Sequence, residues 1–130
     1  MQILNKKIDK IKFTITTNCD SACDYCFVNK TNEKMSFEVA QKSIDLLVNS
    51  LGENKLMALY GGDPFLEFGM IKQMIFYARK LAKIKKKNLI VSICTNLTNL
   101  KDDQIKFIKE NNLRITVSLV GPEEIHNKYR

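Results

Sequence analysis

Short runs of β-forming residues alternate with longer amphipathic stretches along almost the whole chain, and this alternation is what most restricts its fold. Ile11 to Thr17 reads as a first strand, with Ile11, Phe13 and Ile15 alternating against Lys12, Thr14 and Thr16. Ser36 is a suitable cap for a helix in which Phe37, Ala40, Ile44, Leu47, Val48 and Leu51 share one face, and Gly52 suits its end. Leu56 to Tyr60 is a short apolar run entering the Gly61-Gly62 turn, the pattern of a buried strand. A second helix then carries Ile71, Met74, Ile75, Ala78, Leu81 and Ala82 on its apolar face, and its Met and aromatic content reads as core packing. The lysine run KIKKK at 83 to 87 closes it and complements the negative end of the helix dipole. Leu89 to Cys94 makes a third strand, Asp102 to Asn111 a shorter helix with Ile105 and Ile108 inward, and Leu113 to Leu119 a fourth strand. After Gly121-Pro122 the segment EEIHNKYR begins a fourth helix.

The order βαβαβαβ predicts an α/β fold of parallel strand-helix repeats. Right-handed crossovers place the C-terminal ends of all parallel strands on one side of the sheet, where ligand sites form. Four loops should therefore converge: the cysteine loop after strand one, GGDP after strand two, TNL after strand three and the Ser118 region after strand four. The sequence contains no internal linker or low-complexity segment, so residues 1–130 are expected to form one domain, and 45% hydrophobic content is enough to build its core.

Charge and hydropathy exclude several classes of function. Lys and Arg number 21 against 14 Asp and Glu, a net charge of +7, but much of the excess lies in the 83 to 87 run, which reads as a solvated helix end. Neither a nucleic-acid-binding motif nor basic surface interleaved with aromatics is evident, which argues against a nucleic-acid partner. No apolar run approaches the ~20 residues that span a bilayer, and the opening MQILNKKIDK does not resemble a signal peptide, so a cytoplasmic protein is expected.

Four cysteines without a secretory signal point to metal or redox chemistry rather than to a disulfide framework. Cys19, Cys23 and Cys26 stand in a Cys-x-x-x-Cys-x-x-Cys spacing on the loop leaving strand one. Three thiolates close in sequence can hold three irons of a cubane cluster and leave one iron open for chemistry. Two other readings stay open at this point. Structural zinc would need a fourth ligand, from Cys94 or the single His126, and the thiols could also be unliganded. Cys94 itself reads as a small buried hydrophobe at the end of strand three.

The cysteine spacing, with Tyr25 before and Phe27 after the last cysteine, resembles the signature of the radical S-adenosylmethionine superfamily. GGDP at 61 to 64 is similar to that family's Gly-Gly-Glu-Pro motif, and VSLVGPEEIHNKYR at 117 to 130 resembles a segment of the SPASM-type maturases. That subgroup includes anaerobic sulfatase-maturating enzymes and makers of thioether-bridged peptides. The resemblance implies a partial (β/α)6 TIM-like barrel, of which this chain would supply about four strands as the N-terminal part of the radical S-adenosylmethionine core. It also implies a 4Fe-4S cluster held by Cys19, Cys23 and Cys26, and S-adenosylmethionine chelated at the open iron and reductively cleaved to a 5'-deoxyadenosyl radical. The Tyr25 backbone would face the adenine. Gly61, Gly62 and Asp63 would bind the methionine amino group, with glycines allowing close backbone approach, and Thr95, Asn96 and Ser118 would reach the carboxylate or ribose. Implied partners are a peptide or protein substrate and an electron donor such as flavodoxin or ferredoxin.

The chain departs from the family's pattern at three positions: Asp63 replaces Glu, Leu97 replaces a common Gly, and Val120 replaces the Asp usual in SPASM-type sequences. Substrate-facing residues, a general base and auxiliary clusters are expected beyond Arg130, with a C-terminal portion or a partner chain completing the barrel and covering the free edge of strand four. Radical chemistry on a small molecule or RNA, and a non-catalytic iron-sulfur or metal-binding remnant, are the alternatives to a peptide maturase.

Overall fold

The computed structural model describes residues 5–98 and 100–129. Four strands, β1 (Lys10–Thr16), β2 (Asn54–Gly61), β3 (Asn88–Thr95) and β4 (Arg114–Val117), form one sheet in the order β1-β2-β3-β4 with every pair parallel. They alternate with α1 (Phe37–Asn49), α2 (Phe68–Ile84), α3 (Asp102–Glu110) and α4 (Glu123–Tyr129), and a 3-10 turn at Pro64–Glu67 leads into α2. Strands that follow one another in space in sequence order, joined by crossovers of one hand, put their helices on one face of the sheet. That is the wall of a barrel; a doubly wound sheet needs a reversal of strand order. The expected α/β class and the parallel strand-helix repeats of a partial TIM-like barrel are thus present.

The core lies between the sheet and the helices. Phe13 and Ile15 of β1, Met57 and Leu59 of β2 and Val91 and Ile93 of β3 are buried there against Ile44, Leu47 and Val48 of α1 and Ile71, Met74 and Ile75 of α2. The alternate strand positions, including Lys12, Thr14 and Ser92, point to the opposite, inner face. Ser36 caps α1 as expected, its Oγ accepting from Val39 N at 3.3 Å.

Three assignments change at element ends. Leu51 was expected on the apolar face of α1, but the helix ends at Asn49 and Leu51 is exposed. The reason is Lys55. Its side chain is 1% exposed, and Nζ donates to Ile8 O, Ser50 Oγ and Leu51 O, each at 2.7 Å, so the chain leaves the helix to wrap an ammonium group. In α3 the inward residues are Gln104 and Phe107, with Ile108 partly buried, whereas Ile105 is exposed. Phe107 packs edge-on against Phe68 at a centroid distance of 5.3 Å, and Gln104 Nε2 donates to Phe65 O at 3.3 Å, which together set the helix's rotation. Finally, β4 is four residues long instead of seven, and Leu119 lies beyond it, exposed.

The Lys55 ammonium ties the entry to β1, the end of α1 and the start of β2 at the N-terminal rim of the sheet. A buried lysine with three oxygen partners is stabilising only while all three are met. Lys55→Met should therefore lower the unfolding free energy by about 2 kcal/mol, read as a reduced urea midpoint at unchanged slope, because it removes three ammonium hydrogen bonds that tie these segments together.

Candidate functional site

The C-terminal rim of the sheet is organised by backbone pairing between the ends of β1 and β2. Beyond Thr14 the register shifts, so that Thr16 faces Gly61. Gly62 N then donates to Thr16 O and Asp63 N to Asn18 O, both at 2.8 Å. This continued pairing fixes the point at which the cysteine loop departs. Both glycines are required by it: a Cβ on Gly61, whose φ is +141°, would lie 2.3 Å from Thr16 O, and one on Gly62 would lie 1.9 Å from Asn18 O and 3.0 Å from Cys19 Cβ. The bare face of Gly62 is thus filled by the cysteine loop itself, a reason for glycine other than the expected close approach of a ligand.

Asp63 closes the rim from below. It is 4% exposed, and its carboxylate accepts from Phe65 N at 3.1 Å, Thr95 Oγ1 at 2.8 and 3.0 Å, and Asn96 N at 3.0 Å. The first of these bonds caps the 3-10 turn, and the others lock the GGDP loop to the end of β3. The carboxylate expected to meet the cofactor amine is committed within the protein. Asn96 carries the brace onward, its Nδ2 donating to Asp20 Oδ1 at 2.9 Å and Ser21 Oγ at 2.8 Å and lying 3.7 Å from Cys19 Sγ. Leu97, where a glycine is common in the resembling sequences, holds φ +60°, a left-handed conformation that costs a non-glycine residue about 1 kcal/mol.

Around these braces a cavity of about 180 Å³ opens. It is bordered by Cys19, Cys23 and Cys26, and also by Tyr25, Gly61, Gly62, Thr95, Asn96 and Ser118. Of the residues assigned in the sequence to the cluster or the cofactor, only Asp63 does not border it. Asp63 and Thr95 also border the neighbouring cavity under Leu97, Leu100 and Gln104. Ser118 is placed by its backbone N–H, which donates to Thr95 O at 3.1 Å. The sequence reading missed Cys94. It is half-buried on the inner face instead of sitting in the core, lines the same cavity, and its Sγ lies 3.8 Å from Ser118 Oγ. Strand alternation could have revealed this, because Val91, Ile93 and Thr95 are buried on the other face. His126, the other candidate fourth ligand, uses Nδ1 to accept from Val120 N at 3.3 Å.

The four cysteines are free, and a donor set of three thiols opening on one cavity that Gly61 and Gly62 also border suits a thiolate-bound cluster with room for a ligand next to it. Among the described residues no three or more His, Cys, Asp or Glu side chains gather around a single metal-ion position. Burial raises the Cys19 thiol above the usual value, opposed by the Ser21 N–H at 3.4 Å and by Lys30, whose ammonium donates to Ser21 O.

Two measurements check this arrangement. Gly62→Ala should lower the iron bound after reconstitution at least fivefold along with cofactor binding, since the added methyl displaces Asn18 and Cys19; retention of full iron content would show that the loop does not rest on Gly62. In the metal-free chain, Cys19 should remain protonated at neutral pH and alkylate only as the pH rises above the ordinary thiol range near ~8.5, followed by peptide mass mapping. Rapid labelling of Cys19 at pH 7 would contradict the burial assigned to it.

The description of the Radical SAM superfamily matches residues 13–130. The chain is 32% identical over 124 residues to the cysteine-type anaerobic sulfatase-maturating enzyme of Clostridium novyi (strain NT), covering 88% of this chain and 33% of that protein. It is also 32% identical over 124 residues to the serine-type anaerobic sulfatase-maturating enzyme of Bacteroides thetaiotaomicron, covering 86% and 29% respectively. The fold superposes on the solved structure of native anSMEcpe with bound AdoMet and Kp18Cys peptide with a TM-score of 0.82 at 27% identity, over 93% of this chain and 34% of that one. The chain spans about a third of the length of these relatives. Its fold, its cysteine loop and the match over nearly its whole length place it together: the chain belongs to the radical SAM superfamily.

Proposed function

We propose that residues 1–130 form the cofactor-binding, N-terminal part of the core domain of a radical S-adenosylmethionine maturase that modifies a peptide or protein in the cytoplasm. The observation that carries this reading is the single cavity bordered by all three motif cysteines, the Gly61-Gly62 backbone, Thr95, Asn96 and Ser118. Cys19, Cys23 and Cys26 would hold a 4Fe-4S cluster, which when reduced supplies the electron that cleaves S-adenosylmethionine to a 5'-deoxyadenosyl radical.

The chain's own residues have three tasks in this reading. Gly61 and Gly62 would offer backbone carbonyls to the cofactor's ammonium and Ser118 its hydroxyl to the carboxylate or ribose, which Thr95 and Asn96, their own donors taken by Asp63, Asp20 and Ser21, would border. The Tyr25 backbone borders the adenine. Asp63 acts as a positioning residue, holding the Thr95 and Asn96 end of β3 against the cysteine loop rather than touching the cofactor. The structures of relatives with bound AdoMet and a cysteine-containing peptide support a peptide substrate. An electron donor such as flavodoxin or ferredoxin would reduce the cluster, and further strands, from a C-terminal portion or a partner chain, would complete the barrel. Holding the substrate in line with the radical, worth about 7 kcal/mol or more, would depend on that remaining wall.

Anaerobic reconstitution tests the reading. The chain should take up about four irons and four sulfides, lose them in air, and release 5'-deoxyadenosine slowly from S-adenosylmethionine without altering a cysteine-containing peptide. Cys94→Ala should leave the iron count unchanged. Stoichiometric zinc without sulfide, or a halved iron content in Cys94→Ala, would sink the assignment of three ligands.

A further inference from the structure

Beneath the cofactor cavity the inner face of the sheet carries charge of one sign. The strand register sets Lys12 beside Ala58, Ala58 beside Ser92 and Ser92 beside Arg114, so one row across all four strands has small residues in the middle and a cation at each end. Their orientation follows from their neighbours. Phe13 and Ile15 of β1 are buried in the helix-side core and Ile115 of β4 packs against it, leaving Lys12 and Arg114 for the inner face. Lys12 Nζ sits over the Tyr60 ring at 5.1 Å from its centroid, and Tyr60, with Cys94, borders the cavity of the three cysteines. The row therefore lies directly below the site. Lys10 adds a third cation nearer the N-terminal rim, and no inner position of the four strands is Asp or Glu. Neither Lys12 nor Arg114 enters an ion pair among the described residues.

A barrel lining normally fills with apolar side chains in layers. Here the row between Leu56 and Ile90 on one side and Tyr60 on the other has two cations flanking a covered Ala58 and a half-buried Ser92, and their positive charge is unmet by any acid on this face, an environment that selects an anion. We propose that this inner face receives an acidic segment of the peptide substrate, with carboxylates held by Lys12 and Arg114 while the residue to be modified reaches up to the cofactor cavity. The inference rests on the maturase reading above and specifies its substrate class. Three interstrand steps separate Lys12 from Arg114, roughly 14 Å, which an extended peptide spans with acids about four residues apart. Arg114 can grip a carboxylate through two parallel N–H donors, whereas Lys12 acts as a point charge steadied by the Tyr60 face.

The test uses the cluster-loaded chain under anaerobic conditions and two fluorescein-labelled dodecapeptides, each with a central cysteine. One has glutamates two residues before and two after the cysteine, and the other has glutamines there. Anisotropy at low salt should show the glutamate peptide binding at least tenfold more tightly. Lys12→Gln combined with Arg114→Gln should reduce this preference below twofold with iron content and circular dichroism unchanged, while Lys42→Gln on the outer helix α1 should preserve it. The comparison of the two peptides on the unsubstituted chain decides the matter even where the double variant folds poorly. Equal affinities, a preference that survives in a folded double variant, or displacement of the acidic peptide by a nucleoside triphosphate that binds more tightly would each overturn an acidic peptide as the occupant. Failure in a chain that still loads iron and cleaves S-adenosylmethionine would leave the radical chemistry standing, whereas failure to load iron would remove the reading beneath it.

Discussion

The Asp63 carboxylate is the interaction on which the rest of the site depends. It is buried at the junction of three segments and satisfies a donor from each of the 3-10 turn, the Thr95 hydroxyl and the Asn96 backbone. Such a group is stabilising only when its acceptors are fully engaged, since an unpaired buried carboxylate would cost far more than one hydrogen bond returns. Together with the pairing of Gly62 and Asp63 to Thr16 and Asn18, it makes the ends of β1, β2 and β3 one rigid rim. The cysteine loop has no regular secondary structure between Asn18 and Lys34, yet its first cysteine is held on both sides, by Gly62 and by Asn96. A shorter acid suits this task. Asp, not Glu, returns its carboxylate to the N–H two residues on, which is the geometry of a turn cap.

The placement of helices decides what the rim can face. All crossovers lie on one side, so the main core is on that side, and the other carries a mixed lining with Lys12, Thr14, Ser92 and Cys94 beside Leu56, Ala58, Tyr60 and Ile90. The cavity of the cysteines opens at the upper edge of this inner face. The helix side of the sheet offers no such opening, being filled by the core of Ile44, Leu47, Met74 and Ile75. Packing and chemistry are thus separated by the thickness of one sheet.

Much of this organisation was legible in the sequence because it rests on periodicity. Strand alternation in Phe13 and Ile15 and the helical face of Ala40, Ile44, Leu47 and Val48 are both found where the pattern put them. The motif loops emerge at one rim because parallel topology requires it. What the sequence could not convey were contacts between segments far apart along the chain. Lys55 shortens α1 by drawing Ser50 Oγ and Leu51 O to its ammonium, where local propensity would continue the helix. Ile105 loses the inward position to Gln104 and Phe107 because Phe65 and Phe68 fix the rotation of α3. The glycines of GGDP read as permissive turn residues, and their tight contact with Asn18 and Cys19 becomes visible only once β1 and β2 are paired. Cys94 was misplaced for a simpler reason: its face follows from its neighbours' alternation, which outweighs the usual tendency of a free cysteine to be buried.

The central claim is that three thiols on a braced loop hold a cluster with one iron left open beside the Gly61-Gly62 backbone. Electron paramagnetic resonance of the reduced, reconstituted chain tests it most directly, because a ligand bound at an open iron alters the cluster's own signal. The account requires a spectrum of a reduced 4Fe-4S centre whose g-values change when S-adenosylmethionine is added and return when it is removed. A reduced cluster whose spectrum is indifferent to saturating S-adenosylmethionine would contradict it.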